Sequence, residues 1–244
     1  MKWSEMSAYT FQEKEKDIAI LPIGAIEAHG PHLPIGTDNI LAERVAELLG
    51  DKTNALILPV LPLGQVWSLK DFPGSLTISN STLISIITEL GESIYKQGFK
   101  KFVIINAHLG NQTALKEASR KLLDLVPQLK TFTFFYPDIK EIAKDVCETT
   151  GMHDTYFHAD EIETSIMLYL AEEKVDMDKA IKDIPTIPDS IDFTPIPWSS
   201  FTKSAVLGDA TKATKEKGRT IVEHAVKRMV SMINGEKRNV DGSS

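Results

Sequence analysis

The sequence predicts an α/β fold built on a largely parallel sheet, and three observations carry that expectation. Ile18–Ile23 is an uninterrupted apolar run, as expected of a parallel strand covered on both faces. Further strand-length apolar runs alternate along the chain with amphipathic helical patterns. Two of the predicted strands end in polar loops rich in carboxylate, imidazole and amide groups, the position at which open parallel sheets bind ligands.

Composition narrows the function classes. The 244 residues are 42% hydrophobic, enough for a sizeable core. No Gly/Ser linker or internal period divides them, so residues 1–244 are read as one domain. Net charge is −7 with Lys and Arg scattered, which argues against a nucleic-acid partner. The opening MKWSEMSAYTFQEKEKD has no apolar signal region, and no apolar run is long enough to cross a bilayer. A cytoplasmic protein with no membrane partner, acting on a small molecule or peptide, is therefore expected. The single cysteine, Cys147, excludes an intramolecular disulfide and a multi-thiolate metal site. It sits among apolar helix positions and reads as a small buried hydrophobe, not a nucleophile.

In chain order, residues 1–17 read as a polar lead-in helix or arm, followed by the Ile18–Ile23 strand. Thr37 or Asp38 can cap a helix whose stripe is Leu41, Val45, Leu48 and Leu49, closed by Gly50. Ala55–Leu61 is the second strand, and residues 62–80 form a long loop of the kind that carries function. A helix over 81–97 buries Leu83, Ile86, Ile87, Leu90 and Ile94 and stops at Gly98, and Lys101–Asn106 is the third strand. Asn111 or Gln112 opens the next helix, Thr131–Tyr136 is a fourth strand, and PDIKEIAKDVCETT is helical. From Asp160 a helix places Glu163 at the head of an apolar stripe with Ile166, Met167 and Leu170. Residues 181–207 wrap the surface or contact another subunit, 211–234 form a basic amphipathic helix, and the tail after Gly235 is disordered.

The chemistry concentrates in the loop after the first strand. Glu27, His29, His32 and Asp38 fall within twelve residues, a density of oxygen and neutral nitrogen donors that suits Zn, Mn, Fe or Mg without thiolate. His108 lies in the loop after the third strand, which opens at the same crevice. Glu163, a carboxylate on a core-facing stripe, needs a partner, since burying it unpaired costs several kcal/mol or forces protonation. Each residue also has an ordinary explanation. Asp38 can cap its helix, Glu27 can be a solvated loop acid, His29 can bond to backbone, and Asn111 can cap the helix it opens. His153 and His224 read as surface or helix-face residues.

LPIGAIEAHGPHLPIGTD, FPGSLTIS, NAHLGN, HADEIETS and GDATKATKEKG, in that order, resemble the creatininase family of metal-dependent amidohydrolases. The resemblance implies a three-layer αβα fold, an oligomer of up to six copies, and two divalent ions (Zn, Mn or Fe) bridged by a hydroxide. Carried over residue by residue, it makes Glu27 and His108 ligands of one metal, His29 a ligand of the other, Asp38 the bridging carboxylate and His158 the proton shuttle. Creatininase itself has a ligating glutamate where this chain has Gly110. Glu163 of the ETS motif is assigned to that vacancy, as ligand and catalytic residue, with Glu161 as the alternative. His32, Asn106 and Asn111 are expected beside the ligands or against substrate. The tryptophans with which creatininase covers its substrate are missing around Asp154, Tyr156 and Phe157, which argues against creatinine itself.

Two other activities stay open under the same resemblance: ring opening of a cyclic ketone, as in inositol breakdown, and cleavage at a peptide end. A non-catalytic nucleotide-binding or regulatory α/β protein is a further alternative. Against it, Gly24 and Gly30 are too far apart for a phosphate fingerprint, and Glu27 between them would repel phosphate.

Overall fold

The computed structural model describes residues 1–149 and 157–235. The expectations for His153, Asp154, Tyr156 and the tail after Gly235 fall outside these residues. In chain order the main elements are helix α1 (Ala8–Gln12), strand β1 (Ile18–Ile23), α2 (Thr37–Thr53), β2 (Leu56–Ile57), α3 (Asn80–Lys96), β3 (Lys101–Asn106), α4 (Gln112–Leu125) and β4 (Lys130–Phe134). There follow α5 (Ile139–Val146), α6 (Glu161–Ala171), β5 (Lys182–Asp183), β6 (Gly208–Asp209) and α7 (Lys215–Ile233).

The four main strands form one parallel sheet in the order β2-β1-β3-β4, with Ile20 paired to Ile57 on one side and Val103 on the other. Alternation along β1 and β3 builds two cores. Ile18, Ile20, Val103 and Ile105 face α2, α6 and α7, while Ala19, Leu21, Ile23, Phe102 and Ile104 face α3 and α4. The result is the expected αβα sandwich of three layers. From β1 the chain moves outward to β2, and from β3 it moves the other way to β4. The carboxyl ends of β1 and β3 therefore flank the topological switch point, where a crevice opens in sheets of this kind.

Several boundaries differ from the sequence expectation for identifiable reasons. The polar arm is docked: Trp3 lies between Phe11 and Phe99, with ring centroids 4.6 and 5.2 Å away. Strand β2 is only two residues long because Pro59 has no N–H for the ladder, and pairing returns only as an isolated Ile23–Leu61 bridge. Helix α2 runs through Gly50 and ends at Asn54, which takes a left-handed φ of 52°. Gly50 is a packing residue there, since a Cβ would stand 2.6 Å from Ile57. Residues 62–79 are not a free loop: Leu76 N–H donates to the Ile26 carbonyl and Ile78 N–H to the Gly64 carbonyl, at 2.9 and 3.0 Å. Residues 181–207 do more than wrap the surface, for they supply β5, pair it with β6 and bury Trp198.

Helix α7 packs across α6 at closer range than any side chain would permit. A Cβ on Gly218 would overlap the carbonyl of Ser165, so the glycine sets the helix spacing. Among the described residues, no helix is long and apolar enough to cross a membrane.

Candidate metal centre

Three chain segments deliver buried acids and imidazoles to the crevice. The loop after β1 and the first turn of α2 supply Glu27, His29 and Asp38, the loop after β3 supplies His108, and the approach to α6 and its first turn supply His158 and Glu163. Their ligand atoms form three overlapping groups able to hold a metal ion: Glu27 with Asp38 and His108, His29 with Asp38 and Glu163, and Glu27 with His29 and His158. Asp38 belongs to the first two.

Each of the three imidazoles spends one nitrogen on a main-chain carbonyl. His29 Nδ1 bonds the Glu27 carbonyl at 3.0 Å, His108 Nε2 the Gln65 carbonyl at 2.7 Å and His158 Nε2 the Ala28 carbonyl at 2.8 Å. A carbonyl only accepts, so those nitrogens carry the protons and the opposite ones are free to ligate. The free nitrogens face carboxylates. His108 Nδ1 is 3.0 Å from Glu27 Oε1 and 3.3 Å from Asp38 Oδ2, and His29 Nε2 is 3.2 Å from Asp38 Oδ1 and 3.6 Å from Glu163 Oε2.

The donor set fits divalent metal. Glu27 Oε2, His29 Nε2 and both Asp38 carboxylate oxygens are buried without a hydrogen-bond partner. Leaving such atoms unsatisfied costs on the order of 1–3 kcal/mol each, a cost that a cation at their centre would reverse. Without one, protons must serve. Burial opposes the imidazolium of His29, yet Asp38 and Glu163 hold its pKa well above the ordinary value. Burial likewise opposes His108 ionisation, and Glu27 and Asp38 outweigh it. Burial disfavours the Asp38 carboxylate, and His29 and His108 nevertheless keep its pKa below the normal range.

The surrounding residues separate into those that reach the centre and those that do not. Asp38 is not a helix cap: the cap position is Gly36, and Asp38 sits inside the first turn. Glu163 accepts the Ala159 N–H at 2.6 Å, which the left-handed Ala159 (φ 47°) turns back toward it. Glu161, the alternative ligand, points elsewhere. Its carboxylate takes the amides of Glu148 and Thr149, the Thr149 hydroxyl and the Lys217 ammonium at 2.5–2.9 Å. His32 stays outside the cluster, bonded to the Thr164 hydroxyl at 2.9 Å, and burial pulls its pKa down to about 4. Asn106 accepts the His108 amide, and Asn111 bonds to Asn106.

A cavity of about 440 Å³ opens over the cluster, with Glu27, Asp38, His108, His158 and Glu163 in its floor. Two features of its lining had no signal in the sequence. Trp198 arrives from the 181–207 segment and meets the His158 ring edge-on at 5.3 Å. Gln65 contributes a backbone carbonyl, which no residue type announces. Outside the lining, Tyr136 lies two residues past the end of β4, which stops at Phe134 and not at Tyr136 as expected; it takes a left-handed φ of 34°, and its hydroxyl is buried without a hydrogen-bond partner.

Comparison with known proteins agrees with this geometry. The family model described as creatininase, creatinine amidohydrolase, matches residues 1–233. The chain belongs to the creatininase family. Creatininase-family proteins are metal-dependent hydrolases, and this chain is one of them. It is 26% identical over 249 residues to the creatinine amidohydrolase of Pseudomonas putida, covering 93% of this chain and 95% of that one. It is 27% identical over 232 residues to the 3-dehydro-scyllo-inosose hydrolase of Thermotoga maritima, covering 86% and 74%. A crystal structure of creatininase superposes with a TM-score of 0.87 at 23% identity over 96% of each chain, which establishes the shared creatininase fold. Other creatininase structures are described as Zn–Zn and Mn forms.

Proposed function

We propose that this creatininase-family chain is a dinuclear amidohydrolase that cleaves a C–N bond in an amide, formamide or cyclic amide of a small molecule. One observation carries the reading: two groups of three buried ligands share Asp38, and Glu27 Oε2, His29 Nε2 and both Asp38 carboxylate oxygens lack any hydrogen-bond partner. Glu27 and His108 would hold one ion and His29 and Glu163 the other, with Asp38 placed to serve both. Two bound Zn, Mn or Fe ions would polarise the scissile carbonyl and lower the pKa of an attacking water toward neutrality.

The protein's own groups do the rest. The carbonyls of Glu27 and Gln65 fix the tautomers of His29 and His108, so the ligating nitrogens are preorganised. His158 keeps its Nε2 proton on the Ala28 carbonyl, so Nδ1 is the atom that exchanges a proton. It lies 3.7 Å from Glu27 Oε1 and 3.9 Å from Glu163 Oε2, on the cavity floor. From there it takes the proton released by the attacking water and passes it to the leaving nitrogen. Trp198 backs the His158 ring and keeps bulk water off that side.

The cavity volume favours a small molecule over a polymer. We place the enzyme in the cytoplasm as a single-domain chain, assembled as a hexamer or a smaller homo-oligomer, with no nucleic-acid or membrane partner. The test is a panel of formamides, cyclic amides including creatinine, cyclic ketones and short peptides, offered to protein of measured metal content. Turnover of a C–N substrate that stops on chelation is expected. Activity on ketones alone would move the assignment to ring opening, as the inosose hydrolase relative suggests. Protein holding well under one metal per chain would remove the dinuclear reading.

A further inference from the structure

Asn111 stands at the mouth of α4 but makes no side-chain cap to it, and it is fully buried. Its amide is used in three other bonds. Nδ2 donates to the Gly24 carbonyl at 3.0 Å and to Asn106 Oδ1 at 3.2 Å, and Oδ1 accepts the Gln65 N–H at 2.9 Å. One side chain thus ties together the end of β1, the end of β3 and the 62–79 segment.

Two of those ties lead to His108. The Gln65 carbonyl takes the Nε2–H of His108 at 2.7 Å, and Asn106 Oδ1 takes its main-chain N–H at 3.2 Å. With the proton held on Nε2, Nδ1 presents a lone pair toward Glu27 and Asp38. In the other tautomer Nδ1 would point a hydrogen into the same space and offer no ligand. The close fit is built into the neighbouring glycines. A Cβ on Gly64 would stand 2.5 Å from Asn111 Oδ1, and a Cβ on Gly110 would collide with both the Gln65 carbonyl and His108 Nε2. No side chain fits at position 110 while Gln65 occupies that position.

We propose that Asn111 is a positioning residue: it holds the Gln65 carbonyl against His108 and so fixes the tautomer in which His108 offers Nδ1 to the centre. The role rests on the metal reading above, but its test separates the two. Asn111→Ala removes all three bonds. Asn111→Asp keeps the shape and the acceptor for Gln65 N–H while losing both donors, and it carries the test if the alanine variant does not fold.

The measurements are metal affinity by competition with a chelator, using Zn alone and Mn alone, and the His108 imidazole protons by long-range ¹H–¹⁵N correlation with and without Zn. Wild type is expected to show a hydrogen-bonded, slowly exchanging His108 Nε2–H in both states. Asn111→Ala is expected to lose that protection and to bind metal about 10- to 100-fold more weakly, with Asn111→Asp in between. Unchanged affinity, or weakened affinity with the Nε2–H signal intact, would overturn the proposal, the second outcome marking a general structural effect. Wild type that shows the protected proton but takes up no metal would reject the metal reading and leave the clamp in place.

Discussion

His29 Nε2 lies 3.2 Å from Asp38 Oδ1, and neither atom has a hydrogen-bond partner. The opposite nitrogen of His29 already donates to the Glu27 carbonyl, so two electron-rich atoms face one another in a dry interior. Such a contact is stable only with a positive charge between or upon its members, either a metal or a second proton.

Asp38 belongs to two of the three ligand groups, the one with Glu27 and His108 and the one with His29 and Glu163, so Asp38→Ala should empty both of those positions. Elemental analysis of the purified variant checks this, and full metal occupancy would remove Asp38 from the bridging role. Metal stripping of wild type should act in the same direction. An ion held at a thousandfold excess over its Kd adds about 4 kcal/mol, so a chelator should lower Tm by about 8–16 °C for a chain of this size. Re-addition of Zn or Mn should restore it.

His158→Ala should retain wild-type metal content and lose about 10²- to 10⁴-fold in kcat, the usual contribution of a general acid–base group. Its Nδ1 stands 3.7 Å from the nearest carboxylate oxygen, further than His29 Nε2 at 3.2 Å or His108 Nδ1 at 3.0 Å. Loss of one metal in this variant would instead make His158 a ligand, in the group it forms with Glu27 and His29.

Glu161 and Glu163 lie two residues apart and should respond oppositely. Glu163→Gln should weaken or abolish loading of one metal, because an amide is a poor substitute for the carboxylate facing His29 at 3.6 Å. Glu161→Gln should leave metal content unchanged and lower Tm, since its carboxylate holds Lys217 at 2.7 Å and the Glu148 and Thr149 amides. Metal titration of the two variants side by side decides it, and equal loss from both would contradict the geometry.

Cys147 should be nearly inert in the native protein. Burial first, and then the nearby Glu161 and Asp160 carboxylates, push its thiol from 9.0 to about 12. At pH 8 the thiolate fraction is then about a thousandfold below that of the unfolded chain, and alkylation should slow in proportion. Because the unfolded thiol ionises first, this residue should reduce stability as pH rises from about 9 to about 12. Alkylation of folded protein at the unfolded rate would show the thiol to be open.

Periodicity made most of the scaffold legible. Ile18–Ile23 and Lys101–Asn106 are found where the apolar runs predict strands, because each is covered on both faces. Failures came where a single residue competes with the pattern. Pro59 cuts the second strand short, and Gly50, which looks like a stop, is an interior packing residue of α2. At the site, the type and spacing of Glu27, His29, Asp38 and His108 were visible as chemistry. The Gln65 carbonyl was not, because main-chain groups have no letter of their own. Trp198 was hidden by long-range topology, arriving from a Pro-rich stretch that carries no periodic signal. Asn111 had two meanings in the sequence, and only its three bonds exclude the helix cap.

The bare α-carbon of Gly218 has a reach that its position near the end of the chain conceals. It lets the last helix lie against the Ser165 carbonyl, two residues beyond Glu163. Any bulk added there would act as a wedge, lifting one carboxylate away from its companions while every ligand stayed chemically intact. Damage of that kind would look like a failure of cofactor uptake, although its origin would be a lost clearance between two stacked rods, no wider than a methyl group.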